Sequence, residues 1–162
     1  MPTINGRACV VNGKAVDKVF SDGRQVYGRN LLTGTSNQET SGTIPANSWH
    51  LSGSSHIPVT LGQKLTYSIF ITNNNTIDLA SNIDLFSGPS WKLNCIGNVI
   101  KAGTSGYSSV TFTISSGVDS ITVNGVGLFA SSDSATTVYR KEEKLEFDTI
   151  VTPWTPAPED VM

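Results

Sequence analysis

Over Lys64–Thr72 the chain alternates strictly, with Leu65, Tyr67, Ile69 and Ile71 on one parity and Lys64, Thr66, Ser68 and Thr72, joined by Phe70, on the other. Successive side chains of a strand point to opposite faces, so this period of two predicts one face against a core and excludes a helix there. Val110, Phe112 and Ile114, with Thr111 and Thr113 between them, repeat the pattern. Further strands are expected over residues 120–129 and 138–147, and shorter ones over 49–51, 57–59, 83–86 and 92–96. Asn73-Asn74-Asn75 and residues 103–106 read as loops, and no segment sustains a helical period. The sum is an all-β chain, an antiparallel β-sandwich or barrel.

The first 27 residues differ in kind. Three turn dipeptides, Asn5-Gly6, Asn12-Gly13 and Asp22-Gly23, separate short apolar segments such as Cys9-Val10-Val11. Such dipeptides favour the positive-φ turns of tight hairpins. They predict a small β-meander, too short to hold its own core and therefore packed on something larger. We divide the chain into an N-terminal β-meander and linker, residues 1–28, and a sandwich domain, residues 29–162.

A chain of 162 residues can bury a core without metal or disulfide staples. Only 15% of residues are charged, the net charge is −2, and no basic stripe occurs. Electrostatic capture of nucleic acid or of an anionic membrane surface is thereby excluded, and a neutral or weakly charged partner is expected. Cys9 and Cys95, far apart and in unlike contexts, form neither a redox motif nor a metal framework and are expected as free, mostly buried thiols. Neither a signal peptide nor a run of about 18 apolar residues is evident, so action outside a cell calls for a route other than secretion.

Catalytic chemistry has few candidates. His50 and His56 are the histidines, and Gly53-Ser54-Ser55 between them breaks any common strand face; both read as structural or surface residues. Glu142, Glu143, Glu146 and Asp148 alternate with Arg140, Lys141 and Lys144, the pattern of a solvated strand face laced with weak ion pairs. A polar, sugar-contacting face containing Arg140 is the other reading of that strand. Glycoside hydrolysis needs two carboxylates roughly 5 to 10 Å apart, and no pair is marked out by the sequence.

The aromatic residues carry more information. A pyranose offers a C–H face rimmed by hydroxyls, which suits a flat apolar ring flanked by amides, hydroxyls or charges. Trp49, Trp91, Tyr107 and Tyr139 all stand in such surroundings: Trp49 in Asn47-Ser48-Trp49-His50, Trp91 after Gly88-Pro89-Ser90, Tyr107 after Gly103-Thr104-Ser105-Gly106. Trp49 fits either a core aromatic or a platform; Trp91 and Tyr107 adjoin loops. Trp154, between Pro153 and Pro156, is expected to plug the sandwich, and Tyr67 and Tyr27 to pack in the core and the meander.

Two stretches bracket the sandwich: Gly28-Arg29-Asn30-Leu31-Leu32-Thr33-Gly34, and Thr152-Pro153-Trp154-Thr155-Pro156-Ala157-Pro158-Glu159-Asp160. Together with the strand-rich sequence between them, they resemble the carbohydrate-binding modules of tail and baseplate proteins of bacteriophages that infect Gram-positive bacteria, lactobacilli among them. The resemblance implies a jelly-roll sandwich and a non-catalytic, lectin-like role in host adsorption, with Trp49, Trp91, Tyr107, Tyr139 and Arg140 as carbohydrate-binding candidates. It further implies a virion as the location, and as partners a rhamnose-containing cell-wall or capsular polysaccharide and other tail or baseplate proteins. A homo-oligomer is compatible with this setting. A structural Ca²⁺ is common in the wider class of such modules, yet residues 30–38 lack the usual acid and only Asp148 or Asp160 could lend a carboxylate. No other cofactor is implied. The alternative from another class is a structural tail or baseplate protein whose surfaces serve assembly alone; a glycosidase or esterase lacks a convergent catalytic set.

Overall fold

Asn12-Gly13 and Asp22-Gly23 each have φ of 51° and 73°. Positive φ at both central residues is the type I′ turn, whose twist matches that of the strands it joins. Each therefore closes a hairpin in the computed structural model, which describes residues 7–162: β1 (Val10–Val11) pairs with β2 (Lys14–Ala15), and β3 (Lys18–Ser21) with β4 (Arg24–Gly28). The remaining turn signal, Asn5-Gly6, lies outside the described residues.

Eight further strands follow: β5 (Thr40–Ile44), β6 (Ile57–Pro58), β7 (Lys64–Thr72), β8 (Leu79–Ser87), β9 (Ser90–Ile96), β10 (Ser105–Thr113), β11 (Ser120–Leu128) and β12 (Thr136–Phe147). They form two four-stranded antiparallel sheets, ordered β10-β7-β12-β5 and β6-β11-β8-β9. Every connection except the β8–β9 hairpin passes from one sheet to the other, so the chain wraps around its own core as a jelly roll. Among the described residues, no helix is long and apolar enough to cross a membrane.

The alternation in β7 has the expected effect. Leu65, Tyr67, Ile69 and Ile71 are almost wholly buried between the sheets, against Leu79, Ile83 and Leu85 of β8, Ile121 and Val126 of β11, and Val138 and Leu145 of β12. Bulges interrupt the sandwich ladders between Val123 and Gly125 in β11, between Lys141 and Lys144 in β12, and between Leu85 and Phe86 where β8 pairs with β9. Gly125 adopts φ 72°, a conformation that costs a residue without Cβ nothing.

The outer face of the β7–β12 ladder departs from expectation. Lys144 and Glu146, read from the sequence as solvated, are fully buried beneath the C-terminal tail. Alternation shows which face they take, whereas the cover comes from chain outside the strand. Lys144 Nζ donates to Thr152 Oγ1 at 2.7 Å and to the Pro153 carbonyl at 2.8 Å; Thr152 in turn donates its hydroxyl to Glu146 Oε1 at 2.6 Å. Burial pushes the Lys144 ammonium down to about 8 against the opposing pull of Glu146, and pushes the Glu146 carboxyl up.

The two bracketing stretches meet in space. Asn30, fully buried, donates its amide N–H groups to the carbonyls of Glu143 and Thr155, both at 3.0 Å, and its Oδ1 accepts from the backbone of Leu32 and Leu145. Gly28 N donates to Thr152 Oγ1, Gly34 N to the Asp160 carboxylate, and Arg29 pairs with Glu159. Trp154 is half-buried in this clasp and donates to Thr35 Oγ1 at 3.1 Å. Cys9 and Cys95 are free thiols, half-buried rather than mostly buried; burial raises the Cys95 thiol.

Candidate functional site

The polar positions of β8 alternate with its core positions. Ile83 and Leu85 point into the sandwich, so Asn82 and Asp84 project from the outer face of the β6-β11-β8-β9 sheet. Register carries the same face across the hairpin, pairing Asn82 with Ile96 and Asp84 with Asn94. On the other side of β11, residues 49–54 run along the strand: Leu128 N donates to the Trp49 carbonyl, His50 bridges Gly127, and Leu51 N donates to the Val126 carbonyl. These segments enclose a groove of ≈ 530 Å³. Trp49 and Trp91 flank it at 54% and 58% exposure, with Ile96, Leu128 and Phe129 adding apolar surface.

Asp84 is the hub of the floor. Its Oδ1 accepts from Trp91 Nε1 at 2.9 Å and Asn94 Nδ2 at 2.8 Å, and its Oδ2 from Asn124 Nδ2 at 2.8 Å, with His50 Nε2 at 3.4 Å. Burial alone would raise this carboxyl, but hydrogen bonds from His50, Asn94, Trp91 and Asn124 outweigh it and hold the group at about 2. His50 Nδ1 donates to the Leu51 carbonyl at 2.6 Å, and the hydrogen bond to Asp84, opposed by burial, raises the imidazole. Asn82 Oδ1 accepts from both Asn94 and Asn124 and closes the network.

Chemically, the polar floor of the groove is already hydrogen-bonded within itself. Both nitrogens of His50 are engaged, so neither is free to take a proton from a ligand. A carboxyl held at about 2 is a poor general base near neutral pH. Among the described residues, Asp84 is the one carboxylate lining the groove, whereas glycoside hydrolysis uses two. What remains is two indole edges and faces over a fixed polar floor.

Of the five residues singled out from the sequence, the structure brings Trp49 and Trp91 together here. Trp49 lies outside the named strands, and Trp91 is on β9 rather than in a loop. Tyr107 is within β10 and lies on the far sheet, packed edge-on against Phe70 with centroids 5.0 Å apart and hydrogen-bonded to Glu142. Burial and the Glu142 carboxylate push its hydroxyl up to about 12. Tyr139, paired with Thr72 and Ser41, is half-buried on that same sheet. Arg140 sits at the β12 bulge, 3.5 Å from Glu143 and away from the groove. Sequence reasoning missed Asp84, Asn82 and Asn94 and assigned His50 no role in a site; the one local signal was the polar alternation Asn82-Ile83-Asp84-Leu85.

The two acids that could lend calcium a carboxylate both have partners. Asp148 is paired with Lys18 and Asp160 with the Gly34 amide, and among the described residues no three His, Cys, Asp or Glu side chains converge.

No family model and no curated protein matches the sequence. Among solved structures, the chain is similar to the tripod (BppUct-A-L) from the baseplate of bacteriophage Tuc2009, with a TM-score of 0.53 and 20% identity over 83% of this chain and 60% of that one. It is also similar to the EclA C-terminal domain, a sugar-binding protein, with a TM-score of 0.40 and 16% identity over 72% of this chain and 82% of that one. The likeness to the tripod is one of fold, and this chain spans about 60% of the length of that chain.

Proposed function

We propose that this protein is a non-catalytic carbohydrate-binding module of a phage tail or baseplate, which recognises a cell-wall or capsular polysaccharide of a Gram-positive host during adsorption. The observation that carries the reading is the groove in which Trp49 and Trp91, both more than half exposed, stand over the Asp84 hub. Exposed indoles on a rigid sheet invite apolar ring faces. A sugar C–H face lies on such a ring while its hydroxyls reach the flanking amides. The shared fold with a phage baseplate tripod supports the setting on a virion, where other tail proteins and further copies of the chain are the neighbours. Rhamnose-containing wall polysaccharide is the first ligand to test.

One such groove delivers roughly millimolar affinity, about −4 kcal/mol. Titration with purified wall polysaccharide, followed by tryptophan fluorescence and calorimetry, is expected to show saturable binding without release of reducing sugar. Trp91→Ala and Trp49→Ala, each folded by circular dichroism, are expected to weaken binding at least roughly tenfold. Binding that survives both substitutions sinks the groove as the site. The absence of binding to any host polysaccharide favours the assembly role, for which the short N-terminal hairpins, two-stranded among the described residues, are the feature to examine.

A further inference from the structure

Arg140 is not part of the aromatic groove, yet it is placed with care. The bulges of β11 and β12 face each other: a Cβ added at Gly125 would lie 3.3 Å from Glu143 Oε1 and 3.9 Å from Arg140 Nε. Between Arg140, Glu143, Gly125 and the loop residues Thr33, Thr35 and Gly53 opens a cleft of ≈ 230 Å³. A guanidinium carries five N–H donors. Here Nη1 reaches Glu143 Oε2 at 3.5 Å, the outer limit of a hydrogen bond, while Nε is shielded from solvent and has no partner among the described residues. The Tyr67 hydroxyl donates to Glu143 Oε1 at 2.8 Å and so fixes the carboxylate from within the core.

Donors and an acceptor thus stand side by side, both underused. An anion entering the cleft meets Glu143, and Glu142 lines the adjoining recess; a cation meets Arg140. The group that satisfies both is a neutral vicinal diol, each hydroxyl of which gives one hydrogen bond and accepts others. Asn124 ties the cleft to the groove: it lines the cleft, while its Nδ2 donates to Asp84 Oδ2 and Asn82 Oδ1. Residues 49–54 form the wall between the two, held on β11 by Leu51 N to the Val126 carbonyl at 3.1 Å and Ser54 N to the Val123 carbonyl at 2.9 Å.

We propose that the cleft between the two bulges is a second carbohydrate subsite, which takes one neutral sugar unit through a vicinal diol held by Arg140 and Glu143. This rests on the glycan-binding reading of the groove. Affinity for a polymer then exceeds that for a monosaccharide, because a chain that fills both positions gains effective concentration.

The shielded Nε–H of Arg140 gives a natural reporter. In two-dimensional nitrogen–proton NMR of the full chain, D-glucose, D-galactose, L-rhamnose and inorganic phosphate are titrated in turn, following Arg140 Nε–H, the Gly125 amide and the indole N–H of Trp49 and Trp91. At least one sugar is expected to move Arg140 Nε–H and Gly125 along one saturation curve, unchanged in Trp91→Ala. Glu143→Gln, which keeps an oxygen for Tyr67 and therefore the fold, is expected to weaken that curve about tenfold. Sugars that move the indoles but never Arg140 overturn the subsite and leave the groove intact. Sugars that move neither overturn both, and a response of Arg140 to phosphate alone replaces the diol with an anion.

Discussion

Asp84 accepts from four donors on three other segments, so its substitutions separate charge from shape. Asp84→Asn turns an amide N–H₂ toward the N–H groups of Trp91 and Asn94 or of Asn124; the loss of stability is expected at about 1 to 3 kcal/mol by urea denaturation. The acid limb should change with it. The folded carboxyl titrates at about 2, below its ordinary 3.8, so its stabilisation is full above pH 4 and is lost as pH falls through about 2. That difference is worth about 2 kcal/mol, and Asp84→Asn is expected to flatten thermal stability between pH 2 and 5 accordingly. His50 has the opposite sign. Its folded value is raised above 6.5, so its contribution is complete below that and fades as pH rises through the raised value. The stability gap between wild type and His50→Gln should therefore be wider at pH 6 than at pH 8.5; a gap that widens with pH refutes a stabilising imidazolium.

At the scale of elements, the clasp between the opening and closing stretches holds β12 from outside. Asn30→Ala leaves the Leu32 and Leu145 amides and two carbonyls without their partner, and a loss of about 2 to 4 kcal/mol is expected in urea denaturation. Beneath the clasp, Glu146→Ala strands the buried Lys144 ammonium and leaves the Thr152 amide and hydroxyl without their acceptor, and it should cost about 3 to 5 kcal/mol in urea denaturation. The pair also marks the boundary of what the sequence reveals. The period of two in β7 and the turns at Asn12-Gly13 and Asp22-Gly23 are local signals, and each appears in the structure as read. The burial of Lys144 and Glu146 follows from residues 152–155 folding back over β12, and no periodicity within a strand encodes its cover. The groove divides in the same way. Its exposed indoles stand out as aromatics among polar residues, but the floor is assembled from His50, Asp84, Asn94 and Asn124, each unremarkable in its own segment.

For the whole molecule, the hydrogen-bonded floor and the exposed rims of the groove act together. A preorganised site binds without ordering its own side chains, yet an open groove buries one face of a sugar and leaves the rest in water. Under the proposed function, single-site binding is weak and firm attachment comes from repetition. Repeated modules on one particle meeting a repetitive polymer gain roughly 10² to 10⁴ in apparent affinity with no new contact. This can be measured by fusing the chain to a trimeric coiled coil and comparing its retention on immobilised wall polysaccharide with that of the free chain. The fusion should bind at least about a hundredfold more tightly, chiefly through slower dissociation. Trp91→Ala should lower the trimer's retention by a larger factor than it lowers that of the free chain, because the loss at each copy compounds across three. Retention of the trimer despite Trp91→Ala would place adhesion on a surface other than the groove.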